Sequence, residues 1–212
     1  MKTAVIFDLD GTLLNTLEDL TDAVNYTLSH FGCPERTVDE VRSFVGTGAK
    51  NLICKALPGK DTDPSVEEAL AFYQKYYAAH SQVKTAPYGG VLQAITEIGK
   101  KYPVAIVSNK PDGATKTLCA KYFPGVLARG ESTDCKRKPA PDMVFQAMQA
   151  LGAEKCIYVG DSETDVETAR NAGAKCLSVL WGFRDKECLL AAGATHFCNN
   201  PADLLEKLEE MM

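Results

Sequence analysis

Ala4-Val5-Ile6-Phe7-Asp8-Leu9-Asp10-Gly11-Thr12 is the stretch that decides how this chain is read. An apolar run breaks into two carboxylates one residue apart, followed by Gly-Thr. The pattern predicts a buried strand that delivers Asp8 and Asp10 to its C-terminal end. Two buried acids at one strand end are costly unless a cation or a proton offsets their charge. The pair therefore points to a metal site, to a nucleophile with an acid/base partner, or to both. Taken alone, Asp-x-Asp more often marks a solvated turn after a strand. The rest of the chain has to decide.

Working outward, short apolar runs alternate with amphipathic helical patterns. Strands are expected at 4–7, 104–108, 126–129, 156–160, 176–180 and 196–198, and helices at 91–101, 113–122, 141–151, 164–172, 186–192 and 202–210. Asn200-Pro201 offers an N-cap with Pro at the first helical position, and Gly173 stands where a helix-ending glycine belongs. Alternation of this kind predicts an α/β fold with a doubly wound parallel sheet, a Rossmann-like core.

One stretch breaks the alternation. From about Thr16 to Ser81 every signal is helical. Leu17, Leu20, Val24, Leu28 and Phe31 recur every three or four residues, and Gly32 ends that run. Capping-box patterns run from Thr16 to Asp19, Thr37 to Glu40 and Ser65 to Glu68. Further helices are expected at 38–44, 49–57 and 66–79. The reading is a core of residues 1–14 and 83–212, interrupted after its first strand by an inserted α-helical cap domain, 15–82. An insertion at that point is expected over the C-terminal end of the strand carrying Asp8. Ligands of open α/β sheets bind there, so the insert is a candidate lid.

Composition bounds the function. The chain has 212 residues, 45% hydrophobic and 24% charged, with a net charge of -5. That balance is typical of globular proteins. Its longest basic run is Lys136-Arg137-Lys138, which argues against nucleic acid as a partner. No apolar stretch approaches the roughly 20 residues that span a bilayer, so no membrane partner is expected. Eight cysteines occur with no Cys-x-x-Cys and no zinc-ligand spacing to the three histidines. Lys2 leads directly into the first strand, so no leader is expected and the reading is a reducing cytoplasm. Monomer and homodimer are both open.

Further polar groups fall at predicted strand ends. Ser108-Asn109 closes the second core strand. Lys138-Pro139-Ala140-Pro141 sets a lysine before a turn that opens a helix. Cys156-Ile-Tyr-Val-Gly160-Asp161 repeats the opening logic, with Asp165 four residues on, where it also suits a helix N-terminus. Gly11 and Thr12 fit a loop that aims backbone N–H groups at an anion. Asp8, Asp10, Asp161 and Asp165 together offer hard oxygen ligands, which suit Mg2+ better than zinc. A cation with Lys138 and Ser108 suits a phosphoryl group, whose oxygens need neutralising before an anion attacks.

With those residues in order, the chain resembles the haloacid dehalogenase-like hydrolase superfamily over essentially its whole length. Asp8-Leu9-Asp10-Gly11-Thr12, Ser108-Asn109, Lys138, and Gly160-Asp161 with Asp165 match its four motifs, and the inserted cap resembles the family's helical C1 type. The resemblance implies Asp8 as the nucleophile of an aspartyl-phosphate, and Asp10 as acid and then base. It implies Mg2+ on Asp8, Asp161 and the main-chain carbonyl of Asp10, with Asp165 in support. Ser108, Asn109, Thr12 and Lys138 are expected to hold the phosphoryl group. An acid at position 10 favours phosphate esters over organohalides, since a halide leaves without a proton. Asn15 departs from the pattern, because many relatives have Asp there.

Within the superfamily, Arg42-Ser-Phe-Val-Gly-Thr-Gly, Tyr76-Tyr77-Ala78-Ala79-His80 and Pro87-Tyr88-Gly89-Gly90-Val91 resemble phosphoglycolate phosphatases. That implies a small phosphorylated metabolite, 2-phosphoglycolate, as substrate, with Thr47 and Lys50 of the cap as candidate contacts to its carboxylate. An inorganic pyrophosphatase, a sugar-phosphate phosphatase, a β-phosphoglucomutase-like enzyme and, remotely, a phosphonate hydrolase stay open. So does a non-catalytic phospho-ligand sensor, against which intact Asp8 and Asp10 argue.

Overall fold

The computed structural model describes residues 2–58 and 64–212, side chains excepted at 64 and 65. The expected cap at Ser65 thus lies outside the described residues. In chain order the elements are β1 (Thr3–Phe7), β2 (Leu14–Asn15), α1 (Leu17–His30), α2 (Val38–Phe44), α3 (Ala49–Ala56), α4 (Pro64–His80), β3 (Ala86–Pro87), α5 (Val91–Lys101), β4 (Val104–Pro111), α6 (Asp112–Tyr122), β5 (Leu127–Glu131), α7 (Asp142–Leu151), β6 (Lys155–Gly160), α8 (Glu163–Asn171), β7 (Lys175–Val179), α9 (Lys186–Ala191), β8 (His196–Cys198) and α10 (Leu204–Met211). Two compact units result, Met1–Leu14 with Pro87–Met212, and Asn15–Ala86. The boundary runs through a two-stranded sheet of β2 and β3.

The first unit is built on a six-stranded sheet in the order β5-β4-β1-β6-β7-β8, with every pair parallel. Side chains alternate across it, as a sheet covered on both faces requires. Val5 and Phe7 join Ile106, Ile157, Val159, Leu177 and Val179 under α5, α6 and α10. Ala4 and Ile6 join Ala105, Val107, Cys156 and Tyr158 under α7 and α8. The chain moves from β1 outward through β4 to β5, then returns to β6 on the other side of β1 and moves outward again. Connections from β1 and β6 therefore diverge, and their C-terminal ends flank a topological switch point.

Two elements differ from expectation. β4 continues past Ser108 to Pro111, with its register on β5 shifted between Val107 and Pro111. It outruns β1, whose last partner on it is Ile106, so residues 107–111 extend beyond the end of that pairing. The last helix is split. Asn200 caps Ala202 N, which tightens Pro201–Asp203 into a 3-10 turn before α10 begins.

Among the described residues, the second unit holds the four helices α1 to α4. α1 buries Leu17, Leu20, Val24 and Leu28, the face that the periodicity marked. Thr37 and Glu40 form the expected capping box at α2. Thr16 and Asp19 do not form one at α1. Asn15 Oδ1 accepts from Leu17 N instead. The Asp19 carboxylate, one methylene shorter than Glu, accepts the backbone N–H groups of Val83, Lys84 and Thr85 at 2.9–3.1 Å. An acid that looked like a local cap thus anchors the chain's return segment.

Replacing Asp19 with Ala strands three amides. Urea titration is expected to show a loss of about 2–4 kcal/mol, with hydrogen exchange at residues 83–85 accelerated. The thiols give a second check, since all eight cysteines are free. Burial pushes the Cys119 thiol up to about 12 and Cys156 up to about 11. A raised thiol keeps its proton, so near pH 8 both are expected to resist Ellman's reagent in the native protein and to react in guanidinium chloride.

Candidate active site

Asp8 follows the last residue of β1, and Asp161 follows the last of β6. Because Phe7 is paired with Val159, the two acids emerge side by side at the switch point. Asp8 N donates to Val159 O at 2.8 Å, which fixes the exit angle of β1. Asp8, Asp161 and Asp165 are buried, and each offers a carboxylate oxygen within 4.8 Å of the others.

One lysine faces this charge. Lys138 Nζ contacts Asp8 Oδ1 and Asp165 Oδ1, both at 2.8 Å, and donates to the Tyr158 hydroxyl at 3.0 Å. Burial by itself would lower Lys138, but Asp165 and Asp8 outweigh it and hold the ammonium above its usual range. Asp8 is pushed well above a normal carboxylate by burial and by Asp165, with Lys138 opposing. Asp161 is pushed up to about 7, by burial first and then by Asp165. Three acids against one base leave a deficit of positive charge.

The partners of each carboxylate separate their roles. Asp165 is saturated: Oδ1 accepts from Lys138 and Tyr158, and Oδ2 accepts from Asp161 N, Ser162 N and Ser162 Oγ. It both opens α8 and positions the lysine. Asp161 Oδ1 accepts from Thr12 Oγ1 at 3.0 Å, and Oδ2 accepts from Phe183 N at 2.7 Å. Side chains at Gly11, Gly160 and Gly182 are excluded, because a Cβ at Gly11 or Gly182 would overlap the Asp161 carboxyl and one at Gly160 would overlap Asp165. All-oxygen donors, tightly cradled and short of positive charge, fit a hard cation.

The structure links Asp8, Asp161, Asp165, Lys138 and Thr12 directly. Thr12 does so through its hydroxyl, rather than only through a backbone amide. Asn109 joins the group through the lysine's main chain: its amide accepts from Lys138 N at 2.8 Å and donates to Lys138 O at 2.9 Å. That side chain clasps the lysine's backbone and so fixes where Lys138 stands. Asp10 is outside the three-carboxylate group, with Oδ2 3.1 Å from Lys110 Nζ. Ser108 Oγ accepts from Lys110 N. Thr47 and Lys50 belong to the helical unit, where Lys50 pairs with Glu67 and Thr47 O accepts from Asn51.

Several participants escaped the sequence reading. Tyr158 is one, although a hydroxyl inside an otherwise apolar, doubly covered strand demands a partner. Lys110 is another, directly after Ser108-Asn109. The Trp181-Gly182-Phe183 turn is the third; besides Phe183 N it supplies the Trp181 indole, which donates to Thr12 O at 3.0 Å.

Residues 5–179 match the family model described as haloacid dehalogenase-like hydrolase. The chain belongs to that family. Among haloacid dehalogenase-like relatives, a phosphoglycolate phosphatase of Mesorhizobium japonicum is 33% identical, covering 98% of this chain and 96% of that protein. Phosphoglycolate phosphatase 1 of Pseudomonas aeruginosa is 31% identical, covering 95% and 78%. A crystal structure from Lactobacillus delbrueckii, provisionally assigned as a phosphoglycolate phosphatase, superposes with a TM-score of 0.91 at 35% identity over 97% of this chain and 98% of that one.

Tyr158→Phe removes one of the groups holding Asp165 and Lys138 together. The expected cost in urea denaturation is about 1–3 kcal/mol, with the circular dichroism spectrum unchanged.

Proposed function

We propose that this protein is a Mg2+-dependent phosphatase that hydrolyses a small phosphomonoester, 2-phosphoglycolate, through a covalent intermediate on Asp8. The observation that carries the reading is the setting of Asp8. It is a buried carboxylate at a sheet switch point, with one oxygen pinned by Lys138 and by Leu9 N at 2.7 Å. Such pinning orients a nucleophile and limits its freedom before reaction.

An Asp8 oxygen bonds to phosphorus while the bond from phosphorus to the ester oxygen breaks, and Asp10 gives its proton to the departing alkoxide. The alcohol leaves. A water then attacks the aspartyl-phosphate and surrenders a proton to Asp10, and phosphate departs with Asp8 restored. Lys138 neutralises Asp8 and, once substrate competes for it, a phosphoryl oxygen; Asn109 fixes its backbone and Asp165 its ammonium. Ser108, Asn109 and Thr12 are the further phosphoryl contacts. Mg2+, held by Asp8, Asp161 and the Asp10 carbonyl with Asp165 in support, would offset the charge of the phosphoryl oxygens.

The substrate assignment rests on the likeness to phosphoglycolate phosphatases, with Thr47 and Lys50 as candidate contacts in the helical unit. Free thiols throughout fit a reducing compartment such as the cytoplasm. Among the described residues no helix is long and apolar enough to cross a membrane.

The test is a phosphate-release panel with Mg2+, comparing 2-phosphoglycolate, pyrophosphate, hexose phosphates and nucleotides. 2-Phosphoglycolate is expected to show the highest kcat/KM. A preference for pyrophosphate or a hexose phosphate would replace the substrate, and no release from any compound would leave a phospho-ligand sensor. Asp8→Asn is expected to lower kcat by at least about 10³-fold with the fold intact. EDTA is expected to abolish turnover, and Mg2+ to restore it.

A further inference from the structure

Lys110 is a buried lysine, with a side chain only 3% exposed. An ammonium is not left in such a place without a partner and a means of holding it. It forms an ion pair with Asp10 Oδ2 at 3.1 Å. Its backbone is fixed at both polar atoms: Lys110 N donates to Ser108 Oγ at 3.1 Å, and Lys110 O accepts from Thr115 Oγ1 at 3.2 Å. Neighbouring β5 presses against the same turn, where a Cβ at Gly130 would come within 2.6 Å of Lys110 O. Gly130 N is tied to Asp112 Oδ1 at 2.9 Å, which keeps the two segments together. The turn that breaks the β4 register is therefore a clamp around one residue.

The two oxygens of Asp10 are treated differently. Oδ2 meets Lys110, while Oδ1 is buried with no hydrogen-bond partner. A buried carboxylate oxygen left bare costs free energy, and a folded protein rarely leaves one without a reason. A tether through one oxygen works for either protonation state. When Oδ1 carries a proton, Oδ2 is the carbonyl oxygen and still accepts from an ammonium. The arrangement fixes the rotation of the carboxyl group and leaves Oδ1 for proton traffic.

We propose that Lys110 is a positioning residue that holds Asp10 by Oδ2, so that Oδ1 faces the departing ester oxygen and afterwards the attacking water. This rests on the phosphatase reading above. Lys110 acts through Asp10, so its contribution follows how far the leaving group depends on a proton. A glycolate alkoxide needs one, whereas p-nitrophenolate departs without one. The bond from phosphorus to the ester oxygen is the same bond broken in both.

The experiment measures kcat/KM of wild type and Lys110→Met on 2-phosphoglycolate and on p-nitrophenyl phosphate, both with Mg2+. The ratio kcat/KM reports phosphoenzyme formation, before water enters. On 2-phosphoglycolate it is expected to fall about 100-fold, carried by kcat rather than KM. On p-nitrophenyl phosphate it is expected to fall no more than about threefold. Equal falls on both esters, or a fall carried by KM, would overturn the inference. Lys110→Arg, which keeps a cationic donor, is expected to recover most of the 2-phosphoglycolate rate. Should Lys110→Met lose its native circular dichroism, Lys110→Gln reads the same ratio. If wild-type protein releases phosphate from neither ester, the phosphatase reading itself fails.

Discussion

The ammonium of Lys138 is the group on which the rest of this site depends. It meets two buried carboxylates and a buried phenol at once. Removing it would leave Asp8 and Asp165 facing each other without compensation in a medium that solvates charge poorly. The protein accordingly secures the lysine along its whole length. Asn109 holds the backbone from the extended end of β4, while Tyr158 and Asp165 hold the tip from β6 and α8. A flexible side chain becomes a fixed point charge, and the acids around it inherit its position.

Strand geometry explains why these groups meet. Parallel pairing of β1 with β6 sets the two strand ends within one residue of each other, and diverging connections leave space beyond them. The glycines at 11, 160 and 182 let backbone approach the carboxyl groups to distances that no side chain tolerates. Chemistry and fold therefore impose the same demand on those positions. A substitution there disturbs the packing and the donor set together.

Much of this was legible in the sequence, for a physical reason. Parallel strands buried on both faces read as continuous apolar runs, so polar residues at their ends stand out: Asp8, Ser108 and Asp161 were visible that way. What escaped was polar chemistry inside apolar runs and contacts made over long separations. Tyr158 reads as one more strand residue until its hydroxyl is placed. Lys110 reads as a solvated lysine, because composition carries no sign of burial. Asp19 reads as a helix cap because the pattern is local, whereas the amides it binds come 64 to 66 residues later. Asn109 stands out at a strand end, but its hold on the Lys138 backbone, 29 residues away, is not a local pattern.

The pairing of β2 with β3 also bears on how the chain carries a long excursion. Departure at Leu14–Asn15 and return at Ala86–Pro87 are neighbours in one small sheet, so the excursion between them begins and ends at a single point. None of the six strands of the main sheet comes from inside that excursion. Closing so long an excursion at one point costs little more than closing a shorter one, since loop-closure entropy grows only slowly with length. All strand partners of the main sheet thus lie outside the excursion, which is tied at its base by the β2–β3 pair alone among the described strands.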